Sequence, residues 1–485
     1  MVNKKWVLLT LANMCDSMYK INLFIFIKSG SDNMNITIVG CGKVGAALAA
    51  KLIDEGHNIT VIDVNSERIQ RITDELDVLG IVGNGSSNAI LSEAATDKSD
   101  VFIAVTGSDE LNLLCCLFAK KAGKCHAIAR VRNPIYGTEI DFIRKQLGFS
   151  AIINPELATA REISRVLRVP AAMNVDAFAD GRVYLVKFNY KDVEVLKDVP
   201  LKDFSDKLGC NVLICAVERG EEVIIPNGEF ILHDGDVVTF VSTREKVIDF
   251  FKKLELPTKQ VKNTLIVGGG TIGYYLAKDL IEHNIKVSIV EQNVNRCDEL
   301  ADLLPEATIL HGDGTDKKLL LSEGLPNSEA FVPLTNLDEE NVLLSLFAKK
   351  YSSGKIVTKI NRLEFDDILE NLDMGSVIYP KYLTCDFILQ YIRALQNESG
   401  NNIKTLYHIL HDSVEAIEFT VNEESDVTDI PLYKLKLKKN LLIGCITRGD
   451  KVIIPRGNDE IKVGDSVIVV TLQKGLNDIH NIAVR

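Results

Sequence analysis

Short runs rich in β-branched residues alternate along the chain with longer amphipathic stretches. Ile36 to Val39, Ile59 to Ile62 and Val101 to Val105 have strand length, and the segments between them carry apolar residues at helical spacing. Nearly continuous apolar strands separated by helices predict a parallel α/β sheet. A second pattern follows near 182–242 and again near 404–471, where β-branched residues stand between frequent turn signals and helical spacing is confined to Leu201 to Leu208 and Pro431 to Leu437. It predicts a small α+β domain. The stretch Leu254 to Lys262, with Pro257 and its lysines, reads as a linker.

These two patterns occur twice. Asn35-Ile36-Thr37-Ile38-Val39-Gly40-Cys41-Gly42-Lys43-Val44-Gly45 returns as Asn263-Thr264-Leu265-Ile266-Val267-Gly268-Gly269-Gly270-Thr271-Ile272-Gly273. Gly83-Asn84-Gly85 returns as Gly312-Asp313-Gly314, Asp109 to Asn112 as Asp338 to Asn341, and Ile153-Asn154-Pro155 as Ile378-Tyr379-Pro380. Arg219 to Pro226 returns as Arg448 to Pro455, and Asp234-Gly235-Asp236 as Val463-Gly464-Asp465. Preserved order over this length is duplication. The expected organisation is an α/β domain over 34–155, an α+β domain over 165–250, a second α/β domain over 261–382 and a second α+β domain over 400–485. Met34 stands directly before the first strand, so residues 1–33 are expected to be a tail or to precede the true start.

In each copy a G-x-G-x-x-G follows a β-branched strand and opens a helix, the context that makes the motif a dinucleotide-binding, Rossmann fingerprint. The first two glycines, Gly40 and Gly42 or Gly268 and Gly270, suit a tight turn and a pyrophosphate resting on backbone N–H groups and the helix dipole, while Gly45 and Gly273 let helix pack on strand. Asp63 and Glu291 end the second strands about 20 residues further on, where a carboxylate accepts from ribose hydroxyls and favours NAD over NADP. Arg68 and Arg296 are expected to lie too far along the next helix to rescue a 2′-phosphate. Thr106 and Gly107, with Thr335 and Asn336 in the second copy, close a strand at its ligand-facing end, and Arg130 ends another and is placed to reach a phosphate. Lys359 replaces it in copy two.

Other clusters read as structural. His408 and His411 would point to opposite faces of a strand, Cys115-Cys116 lies in an apolar helix, and Asp109-Glu110 reads as an acidic helix start. No nucleophile, general base or metal cluster emerges, so an enzyme is not expected; an NAD-dependent oxidoreductase would need an acid/base residue over the nicotinamide, which neither short accessory domain supplies. A net charge of -12 opposes a nucleic-acid partner, and no apolar run reaches the roughly 18 residues of a membrane span. Ten cysteines without a C-x-x-C pair fit a reducing, cytoplasmic setting.

The glycine motifs, Asp63 and Glu291 together resemble the RCK (KTN) family of cytoplasmic regulators of bacterial potassium uptake, in its two-repeat Trk-system branch, over nearly everything after Met34. The resemblance implies RCK N domains at 34–155 and 261–382 and RCK C domains after each. It implies nucleotide contacts at Gly40, Cys41, Gly42, Lys43, Val44, Gly45, Asp63, Thr106, Gly107 and Arg130, and at Gly268, Gly269, Gly270, Thr271, Ile272, Gly273 and Glu291 in the second copy. NAD or NADH is the implied ligand, with ATP as the alternative. The implied assembly is a homodimeric gating ring beneath a Trk-type integral membrane potassium channel subunit, peripheral to the inner face of the membrane. A nucleotide sensor for another transporter shares every one of these features.

Overall fold

The computed structural model of the chain describes residues 33–136, 139–210, 212–220, 222–361, 372, 374–397, 403–409, 414–473, 476 and 478–484. The expected extension before Asn33 and the histidine His411 lie outside the described residues.

Strands β1 (Asn35–Val39), β2 (Asn58–Asp63), β3 (Leu79–Val82), β4 (Val101–Ala104), β5 (His126–Arg130) and β6 (Ala151–Ile153) form one sheet in the order β3-β2-β1-β4-β5-β6. Every pairing is parallel. This is the doubly wound order, with the reversal between β1 and β4 that opens a crevice at the carboxyl ends of the strands. After β7 (Asn174–Phe178), β8 (Val183–Tyr190), β9 (Leu213–Arg219), β10 (Glu222–Ile224) and β11 (Asp236–Thr243), which form an antiparallel sheet ordered β10-β9-β11-β8-β7, the parallel topology returns. β12 (Asn263–Val267), β13 (Lys286–Glu291), β14 (Thr308–His311), β15 (Ala330–Pro333), β16 (Lys355–Lys359) and β17 (Ser376–Ile378) lie in the order β14-β13-β12-β15-β16-β17. β18 (Ile403–Ile409), β19 (Val414–Thr420), β20 (Leu441–Arg448), β21 (Lys451–Ile453) and β22 (Ser466–Thr471) complete a second antiparallel sheet, β18-β19-β22-β20-β21. The fold is thus two Rossmann-like parallel sheets, each followed by a small antiparallel domain. In place of the second helical pattern, Leu432–Lys434 is a single 3-10 turn.

The two halves complete each other. Ala160, Ile163, Val166 and Leu167, on the helix Pro155–Arg168, pack with Tyr274, Ala277 and Leu280 on the helix Thr271–Glu282 of the second half. Reciprocally, Cys385, Ile388, Leu389 and Ile392 of the helix Pro380–Asn397 enter the first core beside Leu48 and Leu52. An arginine fastens each exchange: Arg168 Nη1 lies 2.7 Å from His283 Nε2, and Arg393 pairs with Glu55. The antiparallel sheets also share a core, in which Val183, Leu185, Cys215 and Val241 meet Val414, Ala416, Cys445 and Ile468. The linker is anchored through buried Leu254 and Val261, and the Val261 N–H donates to the Leu167 carbonyl.

Glu162, on the same crossing helix, is buried. Burial, then the neighbouring Asp176, pushes its carboxyl from the ordinary 4.5 to about 8, and burial likewise raises Asp176. A carboxyl raised in the folded state binds a proton that the unfolded chain has released, so its contribution is intact below pH 4.5 and is lost as pH climbs to about 8. Melting temperature is expected to fall across that window, by up to about 1.4 kcal/mol of stability per pH unit for one proton. In Glu162→Gln, which has no proton to lose, the fall should be shallower; equal slopes for both proteins would exclude this origin.

Candidate functional site

At the carboxyl end of β1 the chain turns through Gly40, φ +103°, into the helix Lys43–Asp54, and Gly268, φ +107°, makes the same turn before Thr271–Glu282. This left-handed backbone is closed to most side chains. A Cβ on Gly45 would overlap the Gly40 carbonyl oxygen, and one on Gly273 that of Gly268, so turn and helix meet backbone to backbone. Gly42 and Gly270 differ. Their φ values, -75° and -64°, suit any residue, and a Cβ on either would meet no protein atom within 4 Å. Neither strain nor packing calls for glycine there, and each glycine leaves the helix start open to close approach from outside. Both are also helix N-caps with no side-chain cap, whereas Asn65, Ser108 and Asn154 cap the helices that follow. The first-turn N–H groups and the positive end of each helix dipole therefore face the same open side, the arrangement that suits a phosphate.

Asp63 and Glu291 tie these loops to the neighbouring strand. Asp63 accepts from Cys41 N at 2.7 Å and Asn65 N at 2.9 Å; Glu291 accepts from Gly269 N and Asn293 N, both at 2.8 Å. Burial and then Asp63 push the Cys41 thiol up to about 12, which makes it inert. The two arginines are not remote. Because Asn65 and Asn293 start the next helices, Arg68 and Arg296 fall in the first turn, close to the strand ends. Arg68 Nη1 lies 3.6 Å from Asp63, and Arg296 Nε donates to the Gly269 carbonyl at 2.8 Å. A cation thus stands beside Asp63, whereas Arg296 braces the second glycine loop and pairs with Glu299 at 2.6 Å.

At the ends of β4 and β5 the organising residue is Asn112, fully buried. Its Oδ1 accepts from Thr106 N at 2.8 Å and Thr106 Oγ1 at 2.7 Å, and its Nδ2 donates to the Arg130 carbonyl at 2.9 Å. Asn341 repeats this with Thr335 and the Lys359 carbonyl. Sequence reasoning passed over both asparagines, although their recurrence behind the acidic helix starts was visible. Asp109 does more than complete a dipole: it accepts from Arg132 N and Asn133 N, both at 2.8 Å, and holds Arg132 Nε at 3.2 Å, while Arg132 Nη2 donates to the Gly107 carbonyl. Arg132 therefore lines the mouth beside Gly107. Arg130 pairs at 2.7 Å with Glu156. Lys359 is buried and donates to the Thr335 carbonyl at 2.7 Å, and burial lowers its pKa, so the second copy has no arginine counterpart there. Each glycine loop shares the carboxyl edge of its own sheet with its acid and its threonine.

Cys115 and Cys116 are core residues, fully buried. Among the described residues no three His, Cys, Asp or Glu side chains could hold a metal ion, and no helix is long and apolar enough to cross a membrane.

The TrkA-N domain model matches residues 36–155 and 264–380, and the TrkA-C domain model matches 195–255 and 416–483. The chain is 33% identical to the Trk system potassium uptake protein TrkA homolog 1 of Methanosarcina mazei, over 92% of its own length and 99% of that protein. It is 31% identical to the Trk system potassium uptake protein TrkA of Halomonas elongata, over 91% and 96%. The crystal structure of the GsuK RCK domain superposes with a TM-score of 0.60 at 16% identity, covering 90% of this chain and 92% of that one. The GsuK channel bound to NAD gives 0.60 at 17%, covering 90% and 77%. At such identities the likeness shows the fold. The relatives are named for potassium uptake. Two copies of each domain model, and relatives matched over nearly their whole length, make the chain a member of the family of Trk system potassium uptake proteins TrkA.

Proposed function

We propose that the protein is a cytoplasmic regulatory subunit, peripheral to the membrane, that binds NAD or NADH, with ATP as competitor, at two glycine loops and gates a Trk-type potassium channel subunit. The observation that carries the ligand class is the pair Gly42 and Gly270, glycines with an ordinary φ and no neighbour, at uncapped helix ends. Gly40 to Gly45 with Asp63, Thr106, Gly107 and Arg130 form the first site, and Gly268 to Gly273 with Glu291 the second. Backbone N–H groups hold the pyrophosphate and the carboxylates the ribose. NAD supplies no chemistry here; it acts as a ligand whose differential affinity for two shapes of the ring shifts their populations. Relatives named for potassium uptake and a like-folded channel bound to NAD support this reading. A homodimer would bring four Rossmann-like units into one ring.

Calorimetric titration with NADH, NAD, NADPH and ATP tests it. NADH is expected to saturate two sites per chain, NADPH to bind more weakly, and Asp63→Ala or Glu291→Ala to weaken one site each by about tenfold, the loss of one or two hydrogen bonds. Absence of binding by all four nucleotides would end the proposal. Light scattering should give the mass of a dimer, and potassium flux with the membrane subunit should respond to NADH; binding without a flux response would instead favour a sensor for another transporter.

A further inference from the structure

One side chain of the second half reaches into the strand-end turn of the first. Tyr275 lies just over one turn into the helix that opens at the second glycine loop, is 7% exposed, and packs in the core shared with the helix Pro155–Arg168. Its hydroxyl donates to the Arg132 carbonyl at 3.1 Å and accepts from Asn154 Nδ2 at 2.9 Å. Both partners belong to the first site's frame. Arg132 is the residue that Asp109 and the Gly107 carbonyl hold at the mouth. Asn154 caps the helix whose Glu156 pairs with Arg130, accepting from Leu157 N at 2.9 Å. A single hydroxyl therefore connects the second glycine-loop helix to both flanks of the first site.

Among the described residues, the repeat-related position carries no hydroxyl. The repeat sets Ala47 opposite Tyr275, Tyr379 opposite Asn154 and Asn361 opposite Arg132. Alanine has neither donor nor acceptor in its side chain, and Asn361 Nδ2 donates to Asp338 within its own half. The hydroxyl link thus joins the second loop to the first site, with no equivalent from Ala47.

We infer that Tyr275 is a positioning residue that couples the two nucleotide sites, so that occupation of the second loop sets the affinity of the first. The inference rests on the proposal that both loops bind nucleotide. A phosphate at the second loop loads the N-terminus of the helix Thr271–Glu282, and the helix, as a rigid element, passes its displacement to the hydroxyl and so to Arg132 and Asn154. One net hydrogen bond limits the coupling to about fivefold, or ~1 kcal/mol, and coupling in binding is reciprocal.

The test is a cycle on the full chain: native, Glu291→Ala, Tyr275→Phe and the double variant, each titrated with NADH, with amide hydrogen exchange measured on the nucleotide-free proteins. Disabling the second site should change the first-site Kd about fivefold with Tyr275 present and leave it unchanged with phenylalanine. An equal change in both backgrounds, or no change in either, overturns the coupling. Without nucleotide, Tyr275→Phe should speed exchange at residues 107–112 and 131–133 while β1 and β4 stay protected; unaltered exchange there overturns the positioning role. If NADH binds to none of the four proteins, the nucleotide proposal and with it the coupling fall, and faster exchange at those turns alone would retain Tyr275 as their positioning residue.

Discussion

On the proposed function, Gly45→Val is expected to bind one nucleotide per chain where two are expected of the native protein, and Gly273→Val to lose the other site. The cause is steric. The first carbon of either new side chain would overlap a carbonyl oxygen, that of Gly40 or Gly268, so the turn or the helix must move. Displacing the turn misaligns the N–H groups proposed to meet the phosphates. Loss of two charge-assisted hydrogen bonds at about 1.5–3 kcal/mol each weakens the site at least about a hundredfold, and overpacking of this kind costs about 3 kcal/mol of stability. Gly42→Ala is the informative companion. Its Cβ meets nothing in the protein, so its melting temperature should match the native value while first-site affinity falls. Calorimetric stoichiometry with thermal unfolding decides the matter: two intact sites in Gly45→Val would refute the assignment of this loop.

In Arg219→Ala and Arg448→Ala the small sheets should lose about 3–5 kcal/mol, the range for removing one partner of a buried ion pair. Arg219 grips Asp236 with Nε at 2.9 Å and Nη2 at 2.8 Å, and Nη2 also donates to the Ile231 carbonyl. Arg448 repeats the grip on Asp465 at 2.7 and 2.8 Å and donates to the Glu460 carbonyl. Both carboxylates are buried, at 2% and 1% exposure, while the arginines reach solvent. Truncating the arginine strands a charge in the interior; truncating the aspartate frees an arginine to turn toward water. Arg219→Ala should therefore be the more damaging of the first pair, with Asp236→Ala nearer 3 kcal/mol. Burial alone would raise the Asp236 carboxyl, but Arg219 and the His233 N–H more than offset it and leave the group below the usual range. Its stabilisation is present above the ordinary carboxylate pKa and is lost as pH falls through the lowered one. Chemical denaturation at neutral pH, with aspartate and arginine variants side by side, checks the order.

The duplication, the two classes of sheet and the glycine loops were legible in the sequence because each depends on neighbours in the chain. Strand periodicity, a left-handed turn and a helix start are local, and a second copy in the same chain marks which residues recur. Asn112 and Asn341 carried that mark and were overlooked, since an acidic helix start already accounted for Asp109 and Glu110. Arg219 with Asp236 and Arg448 with Asp465 recur in the same way, but recurrence does not say that two residues touch.

Tertiary structure alone decided the rest. The reach of Arg68 and Arg296 depends on where the next helix begins relative to the strand end, a matter of one residue at the cap. The pairing of Arg130 with Glu156 and the turning of Lys359 into the strand ends depend on which carbonyls and carboxylates the sheet edge gathers. Above all, the helices Pro155–Arg168 and Pro380–Asn397 complete each other's halves, and Tyr275 meets Arg132 across 143 residues of chain. Periodicity shows that a helix has an apolar face but not which surface covers it; that choice is made by the packing of the whole molecule, where the most apolar area leaves water.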